Sequence, residues 1–103
     1  MFTRISAQEA QDLITQSQAQ VVDIRDPQAF SAGHIPGAVL LNNDNLQHYV
    51  DSADLEKPLL VCCYHGNSSQ GAADFLNSDK GFAKTYSIDG GFEAWKMGCE
   101  VEA

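Results

Sequence analysis

Four short strand-like runs, rich in apolar or β-branched residues, alternate along this chain with segments that carry helix signals, and this alternation limits the fold to very few classes. The runs cover residues 21–24, 38–41, 59–62 and 83–88. Each run is too short for a buried helix, so we predict four strands. Strands that alternate with helices at this spacing form β-α-β crossovers, which build a parallel sheet covered by helices on both faces. The predicted fold class is therefore α/β.

The segments between the strands contain recognisable helix starts. Ser6 and Glu9 form a capping-box pattern ahead of an amphipathic stretch. Asp26, followed by Pro27 in the first turn, starts a second helix that stops at Gly33. The helices predicted along the chain cover residues 7–16, 27–33, a short stretch capped by Asn43 or Asp44, 69–77 and 92–97.

Size and charge narrow the range of functions. A chain of 103 residues, of which 44% are hydrophobic, has room for one domain, residues 1–103, whose core needs no disulfides. Fourteen acidic and six basic residues give a formal net charge of −8. Such a chain repels nucleic acid and anionic lipid at long range, so we expect neither nucleic acid nor a membrane as a partner.

Cysteine usage and apolar runs bear on the location of the protein. Residues 1–20 lack the pattern of a signal peptide, and the longest apolar run, residues 59–63, is too short to cross a bilayer. The three cysteines are odd in number, and Cys62 and Cys63 are adjacent, which places them poorly for bridging each other. This usage fits a reducing compartment, and we expect a cytoplasmic protein.

The loop after the strand at residues 59–62 is the most informative segment, because ligands of open α/β sheets bind beyond the carboxyl ends of the strands. A short turn from a strand into a helix N-terminus directs backbone N–H groups inward, which makes an anion-binding cradle. Gly66 and Asn67 tolerate left-handed backbone geometry. Ser68 or Ser69 can cap the helix or donate a hydroxyl hydrogen bond inward. The loop consists of Cys63, Tyr64, His65, Gly66, Asn67 and Ser68.

Cys63 lies at the base of this cradle and is expected to be a thiolate, because the N–H donors favour the charged form. The loop contains no Lys or Arg, so activation comes from backbone dipoles, with His65 as an optional helper. The same donors suit a persulfide on Cys63, whose outer sulfur is anionic. Cys62 is predicted to be a core residue. Cys99 is predicted to be an incidental thiol, with a resolving role as the alternative.

Other polar residues near the predicted sheet edge are interpreted structurally. Asp23 and Arg25, at the end of the strand at residues 21–24, are expected to form an ion pair or to brace a loop. His34 is expected to shape a turn. A metal site formed by Cys62, Cys63 and His65 is disfavoured, because neighbouring residues of a strand point to opposite faces and their side chains diverge. We therefore expect no metal and no cofactor.

Three segments of the chain resemble motifs of the rhodanese family, and they occur in the same order and at the same spacing as in that family. They are VDIRDP with GHIPGA at residues 22–27 and 33–38, CYHGNS at 63–68, and YSIDGGFEAW at 86–95. The resemblance implies a small, mainly parallel five-stranded sheet with helices on both faces. Within this family, active-site loops of six residues are typical of members that act on sulfur substrates. Related phosphatases have a wider loop and an Arg at the position where this chain has Ser69. Some rhodaneses end the loop with an Arg, where this chain has Ser68.

The resemblance also implies an activity, the transfer of sulfane sulfur from thiosulfate to cyanide or a thiol through a Cys63 persulfide. Cys63 is then the nucleophile, and the remaining loop residues with Ser69 bind the substrate. A thioredoxin-like or other thiol protein is a possible acceptor. The alternative is a carrier module that receives persulfide sulfur from a protein partner and turns over little free thiosulfate. A silent regulatory domain is disfavoured, because Cys63 is present.

Overall fold

The computed structural model describes residues 1–103 and contains one five-stranded sheet. The strand order is β1-β5-β4-β2-β3, and every neighbouring pair is parallel. The predicted α/β class is confirmed, because parallel neighbours require the crossover helices that the sequence pattern indicated. The strands are β1 (Thr3–Ile5), β2 (Gln20–Asp23), β3 (Val39–Leu40), β4 (Leu59–Cys62) and β5 (Thr85–Ile88).

Five helices connect or follow the strands. Their predicted starts are confirmed where a capping side chain marks them: Ser6 Oγ accepts from the Glu9 amide, and the Glu9 carboxylate accepts from the Ser6 amide. Asp26 likewise accepts from the Ala29 amide at 2.9 Å. None of the helices is long and apolar enough to span a bilayer. The helices are α1 (Ala7–Ser17), α2 (Pro27–Ala32), α3 (Leu46–Ser52), α4 (Ser68–Ser78) and α5 (Gly91–Trp95).

Two local features differ from the sequence prediction. Strand β1 was not predicted from its own residues, because three residues with only Ile5 buried show no periodicity; it forms by pairing with β5. Helix α3 begins after Asn45 rather than after residue 43 or 44. Asn45 makes no cap bond, because its amide group donates to Leu40 O at 2.7 Å and accepts from the Asn42 amide at 2.8 Å. The side chain closes a turn instead.

Strand β4 is the centre of the core, as its continuous apolar run predicted. All four of its side chains are completely buried, because helices cover both sheet faces. Leu60 and Cys62 belong to the layer that contains Trp95 of α5, whereas Leu59 and Val61 belong to the layer that contains Leu76 of α4. This alternation decides which face of the sheet each cysteine meets.

Asp23 and Arg25 form the buried ion pair that the sequence predicted. Arg25 Nη2 lies 2.7 Å from Asp23 Oδ2 and donates to Gly33 O at 2.6 Å. The guanidinium carbon also lies 4.1 Å from the centre of the Phe92 ring. Asp23 is completely buried and Arg25 is 7% exposed, so the pair braces the segment after β2 against Gly33.

We expect Asp23→Asn to lower the free energy of unfolding by about 3 kcal/mol, because it leaves the Arg25 charge buried without its partner. Urea denaturation measures the change. The matched control is Asp89→Asn, which breaks the exposed Arg4–Asp89 pair and should cost less than about 1 kcal/mol. Equal losses for the two variants would contradict a structural role for the buried pair.

Candidate active site

The loop predicted as the site lies between β4 and α4 at the carboxyl edge of the sheet. Strand β4 ends at Cys62, and α4 begins at Ser68 with Asn67 as its N-cap residue. Cys63 therefore follows the central strand of the sheet and lies between the ends of β2 and β5. Its side chain is 3% exposed, so the sulfur sits at the floor of the loop.

Two backbone N–H donors and one side-chain hydroxyl converge on Cys63 Sγ. The Gly66 amide nitrogen lies 3.2 Å from the sulfur and the Ser69 amide nitrogen lies 3.3 Å from it. Ser69 Oγ lies 3.2 Å from the same sulfur, where it accepts from the thiol and donates to the thiolate. The donors come from the loop backbone and from the first turn of α4, where unpaired N–H groups and the helix dipole both favour an anion.

The pKa of the Cys63 thiol is held below its ordinary value. Burial on its own raises this pKa, but hydrogen bonds from the Ser69 hydroxyl and from the backbone of Ser69, Gly66 and His65 outweigh burial. No Lys or Arg contributes a hydrogen bond to the sulfur. The geometry is therefore that of a thiolate stabilised by main-chain amides and one hydroxyl.

Cys62 and Cys63 occupy different environments although they are adjacent. Cys62 is completely buried in the core layer with Leu60, and burial raises the pKa of its thiol. Its sulfur lies 3.6 Å from Cys63 O and receives none of the donors of the loop. Cys62 is thus the core residue that the sequence predicted. Cys99 lies elsewhere, with its sulfur 3.5 Å from Gln11 Oε1 of α1.

Helix α5 holds the loop in its inward-facing conformation. The Phe92 amide donates to Cys63 O at 2.8 Å, and the Glu93 amide donates to Tyr64 O at 3.3 Å. Because the loop carbonyls are engaged by the start of α5, the loop amides are free to point at the sulfur. This connection was not predicted from the sequence, where Gly90 and Gly91, a glycine pair just after a strand, were the available signal.

Gly91 and Gly66 allow the two backbones to approach this closely. Gly91 has φ +57°, and a Cβ on it would lie 2.4 Å from Cys63 O and 2.7 Å from His65 N. Gly66 has φ +89°, as its predicted left-handed geometry requires, and a Cβ there would lie 2.8 Å from Gly90 N. Both positions therefore need glycine for its missing Cβ as well as for its backbone angles.

The side chains of the other predicted loop residues lie at the rim rather than against the sulfur. Tyr64 directs its hydroxyl to the Asp26 carboxylate, which ties the loop to the start of α2. His65, Asn67 and Ser68 are exposed. Asn67 has φ −91°, so within this loop only Gly66 uses the left-handed region. The N-cap residue of α4 is Asn67, whose side chain makes no cap bond, and not Ser68 or Ser69. Ser69 instead directs its hydroxyl inward.

Ser87 of β5 is a residue of this site that sequence reasoning missed. Its Oγ lies 2.7 Å from Ser69 Oγ, and both serines are completely buried. A single small polar residue within a strand gives no signal of such a contact. The two hydroxyls form a short row that ends at Cys63 Sγ.

Comparison with known proteins agrees with this geometry. The Rhodanese-like domain model matches residues 6–97. The chain is 55% identical over 95 residues to the thiosulfate sulfurtransferase GlpE of Ectopseudomonas mendocina, an alignment that covers 92% of this chain and 85% of the relative. The enzyme of the same name from Pseudomonas putida is 54% identical, with coverage of 92% and 86%. A rhodanese-related protein from Thermoplasma volcanium superposes with a TM-score of 0.80 at 26% identity, covering 98% of each chain.

The fold, the sequence relatives and the matched segment all support the resemblance stated on the three motifs. The segment at residues 6–97 includes the cysteine loop and the first turn of α4, which build the cradle, and the start of α5, which holds the loop. This chain therefore belongs to the family of rhodanese-like domains.

Proposed function

We propose that this protein transfers the outer sulfur of thiosulfate to cyanide or a thiol through a persulfide on Cys63. The sulfurtransferase activity rests on identities of 52% to 55% to curated thiosulfate sulfurtransferases across most of the chain. The assignment of the sulfur to Cys63 rests on one observation, the convergence of two backbone amides and the Ser69 hydroxyl on its Sγ. A thiolate in such a cradle is a nucleophile at neutral pH.

In the first half-reaction the Cys63 thiolate attacks the outer sulfur of thiosulfate. A new S–S bond forms, the S–S bond of thiosulfate breaks, and sulfite leaves with the electron pair. Because sulfite is weakly basic, it needs no proton to leave, and this site offers no general acid at the sulfur. The product is Cys63–S–S⁻, whose outer sulfur takes the negative charge and faces the loop amides.

In the second half-reaction an acceptor nucleophile attacks the outer sulfur, and Cys63 leaves as a thiolate. The donors that stabilise the thiolate also stabilise it as a leaving group. Two steps through a covalent intermediate give ping-pong kinetics. Cyanide serves as the acceptor in an assay, and a small thiol or a thioredoxin-like protein thiol is the acceptor class that this chemistry suits.

The loop supplies the substrate-binding groups. Gly66 and Ser69 are proposed to bind the outer sulfur through the amides and hydroxyl already directed at Cys63. Tyr64, His65, Asn67 and Ser68, which form the exposed rim, are proposed to contact the sulfite portion of thiosulfate.

Intact-mass measurement tests the proposal. After incubation with thiosulfate and removal of excess reagent, the protein should carry one additional sulfur atom, and fragment masses should place it on Cys63. Cyanide should then remove the sulfur and release thiocyanate. If the protein takes up sulfur only from a persulfide-bearing donor protein and none from free thiosulfate, the carrier function replaces the proposed one.

We expect the KM for thiosulfate to decrease as ionic strength rises, because a protein with a formal charge of −8 repels a dianion at low salt. The change should be about two- to fivefold between about 0.02 M and 0.2 M salt. Initial rates at several thiosulfate concentrations measure it, with two different salts to separate screening from specific ion binding. A KM that rises steadily with ionic strength contradicts the electrostatic account.

A further inference from the structure

A row of two buried hydroxyls lies below Cys63. Ser69 Oγ is 3.2 Å from Cys63 Sγ and 2.7 Å from Ser87 Oγ. Ser69 belongs to the first turn of α4, and Ser87 lies on β5 beside Val61 of β4. Helix α4 and the centre of the sheet thus meet at this row, which no solvent reaches because both serines are 0% exposed.

The direction of the hydrogen bonds in this row follows from the number of partners that each hydroxyl has. Ser87 Oγ has Ser69 Oγ as its one hydrogen-bond partner. A buried hydroxyl proton without an acceptor is costly, so Ser87 donates its proton to Ser69. While Cys63 is a thiol, its proton can point to Ser69 Oγ, 3.2 Å away. When Cys63 is ionised, Ser69 Oγ accepts from Ser87 and donates its own proton to Sγ, the other atom within reach.

We propose that Ser87 is a positioning residue for sulfur transfer, which acts through Ser69 by directing and polarising the hydroxyl that donates to Cys63 Sγ. The proposal rests on the assignment of Cys63 as the sulfur-carrying nucleophile. A hydroxyl that accepts one hydrogen bond becomes a better donor in the next, because successive bonds in a row polarise one another. Ser87 therefore stabilises the thiolate without touching the sulfur.

The ionisable groups around the site make no competing hydrogen bond to this row. Asp23 at the end of β2 and Arg25 two residues later pair with each other, and burial raises the pKa of the Cys62 thiol in the core. From α4 the sulfur meets the Ser69 amide and hydroxyl, and from β5 the row contains only the Ser87 hydroxyl, which reaches Ser69. The remaining titratable side chains of the loop, α4, β5 and α5 are Tyr64, His65, Asp74, Tyr86 and Glu93. Tyr86 is part-buried and the other four are exposed, and none of the five hydrogen-bonds to the two serines.

The rate of alkylation of Cys63 as a function of pH tests the proposal. Because the thiolate is the reactive form, the midpoint of this profile follows ionisation of Cys63, whereas the plateau at high pH follows access and intrinsic reactivity. Iodoacetamide is the probe, and a Cys99→Ser background removes the partly exposed second thiol. Fragment masses confirm modification at Cys63. The measurement needs no sulfur substrate, so it succeeds or fails independently of thiosulfate turnover.

We expect Ser87→Ala to lower the alkylation rate near pH 6 about threefold while leaving the high-pH plateau unchanged. Ser69→Ala should lower the rate about tenfold or more, because it removes the donor itself. Ser87→Thr, which keeps the hydroxyl, should retain the original midpoint. Thr85→Ala removes another buried hydroxyl of β5, one that faces Met1 O instead, and should leave the profile unchanged.

The decisive arm is the double variant. If Ser87 acts through Ser69, Ser87→Ala has no further effect on the midpoint in a Ser69→Ala background. Equal effects of Ser87→Ala in both backgrounds, a changed plateau with an unchanged midpoint, or no change at all would each overturn the proposal. If instead Cys63→Ser retained sulfur transfer, the proposed function would fail while the alkylation result still stood.

Discussion

Cys63→Ser is expected to abolish sulfur transfer, with kcat/KM for thiosulfate and cyanide reduced by at least about 10⁴-fold. The hydroxyl that replaces the thiol is a far weaker nucleophile and cannot form a persulfide. The variant should therefore also take up no sulfur in the intact-mass measurement. Thiocyanate formation and protein mass are measured on the same sample, so loss of turnover is tied to loss of the intermediate.

The matched control is the same substitution one residue earlier. Cys62→Ser buries a hydroxyl in the core layer with Leu60, which lowers stability but leaves the donors at Cys63 Sγ in place. We expect its activity at 25 °C to stay within about threefold of the original. Cys62→Ala provides a second control without the buried polar group. Loss of sulfur uptake in the Cys62 variants and its retention in Cys63→Ser would show that the wrong cysteine has been assigned.

Gly91→Ala is expected to lower kcat/KM about 10³-fold, although Gly91 contributes no atom to the chemistry. The new Cβ would lie 2.4 Å from Cys63 O, so either α5 or the loop has to move by about 1 Å. Displacement of that size misplaces reacting groups, and the loop amides then turn away from the sulfur. The positive φ of +57° at Gly91 adds backbone strain for any residue with a side chain.

Gly71→Ala is the control for this variant. Gly71 lies within α4, and a Cβ there meets no atom within 4 Å. Alanine should stabilise that helix by up to about 1 kcal/mol and leave the activity unchanged. The measurements are initial rates together with urea denaturation, which separates an active-site effect from unfolding. If Gly91→Ala retained the activity of the Gly71→Ala control, the close packing of α5 on the loop would not matter for catalysis.

The extent to which the sequence predicts this fold depends on how local the signals are. Strand β4 has four consecutive apolar residues that face two core layers, so its own composition identifies it as a central strand. Strand β1 has three residues, and Thr3 and Arg4 are exposed, so only its pairing with β5 reveals it. Asn45 shows the same limit, because its hydrogen bonds to Leu40 and Asn42 depend on how the chain turns after β3.

The candidate site likewise has features that the sequence predicts and features that it does not. The position of Cys63 at a strand end, the inward amides and the left-handed Gly66 follow from a short strand-to-helix loop and were predicted. The contacts made by Gly91 and Ser87 were not predicted, because β5 and α5 meet the loop only after the sheet has assembled. Local sequence signals therefore locate the proposed nucleophile, whereas the contacts that hold its loop depend on long-range packing.

The central claim is that main-chain amides hold the negative sulfur of Cys63, and NMR titration of the amide protons tests it most directly. The amide protons of Gly66 and Ser69, which lie on the nitrogens 3.2 Å and 3.3 Å from Sγ, should shift downfield together as Cys63 ionises. Their common midpoint should lie below the ordinary pKa of a cysteine, and the shift should vanish in Cys63→Ser. Amide resonances that stay unchanged while the thiol ionises, or a midpoint above the ordinary value, would contradict the account.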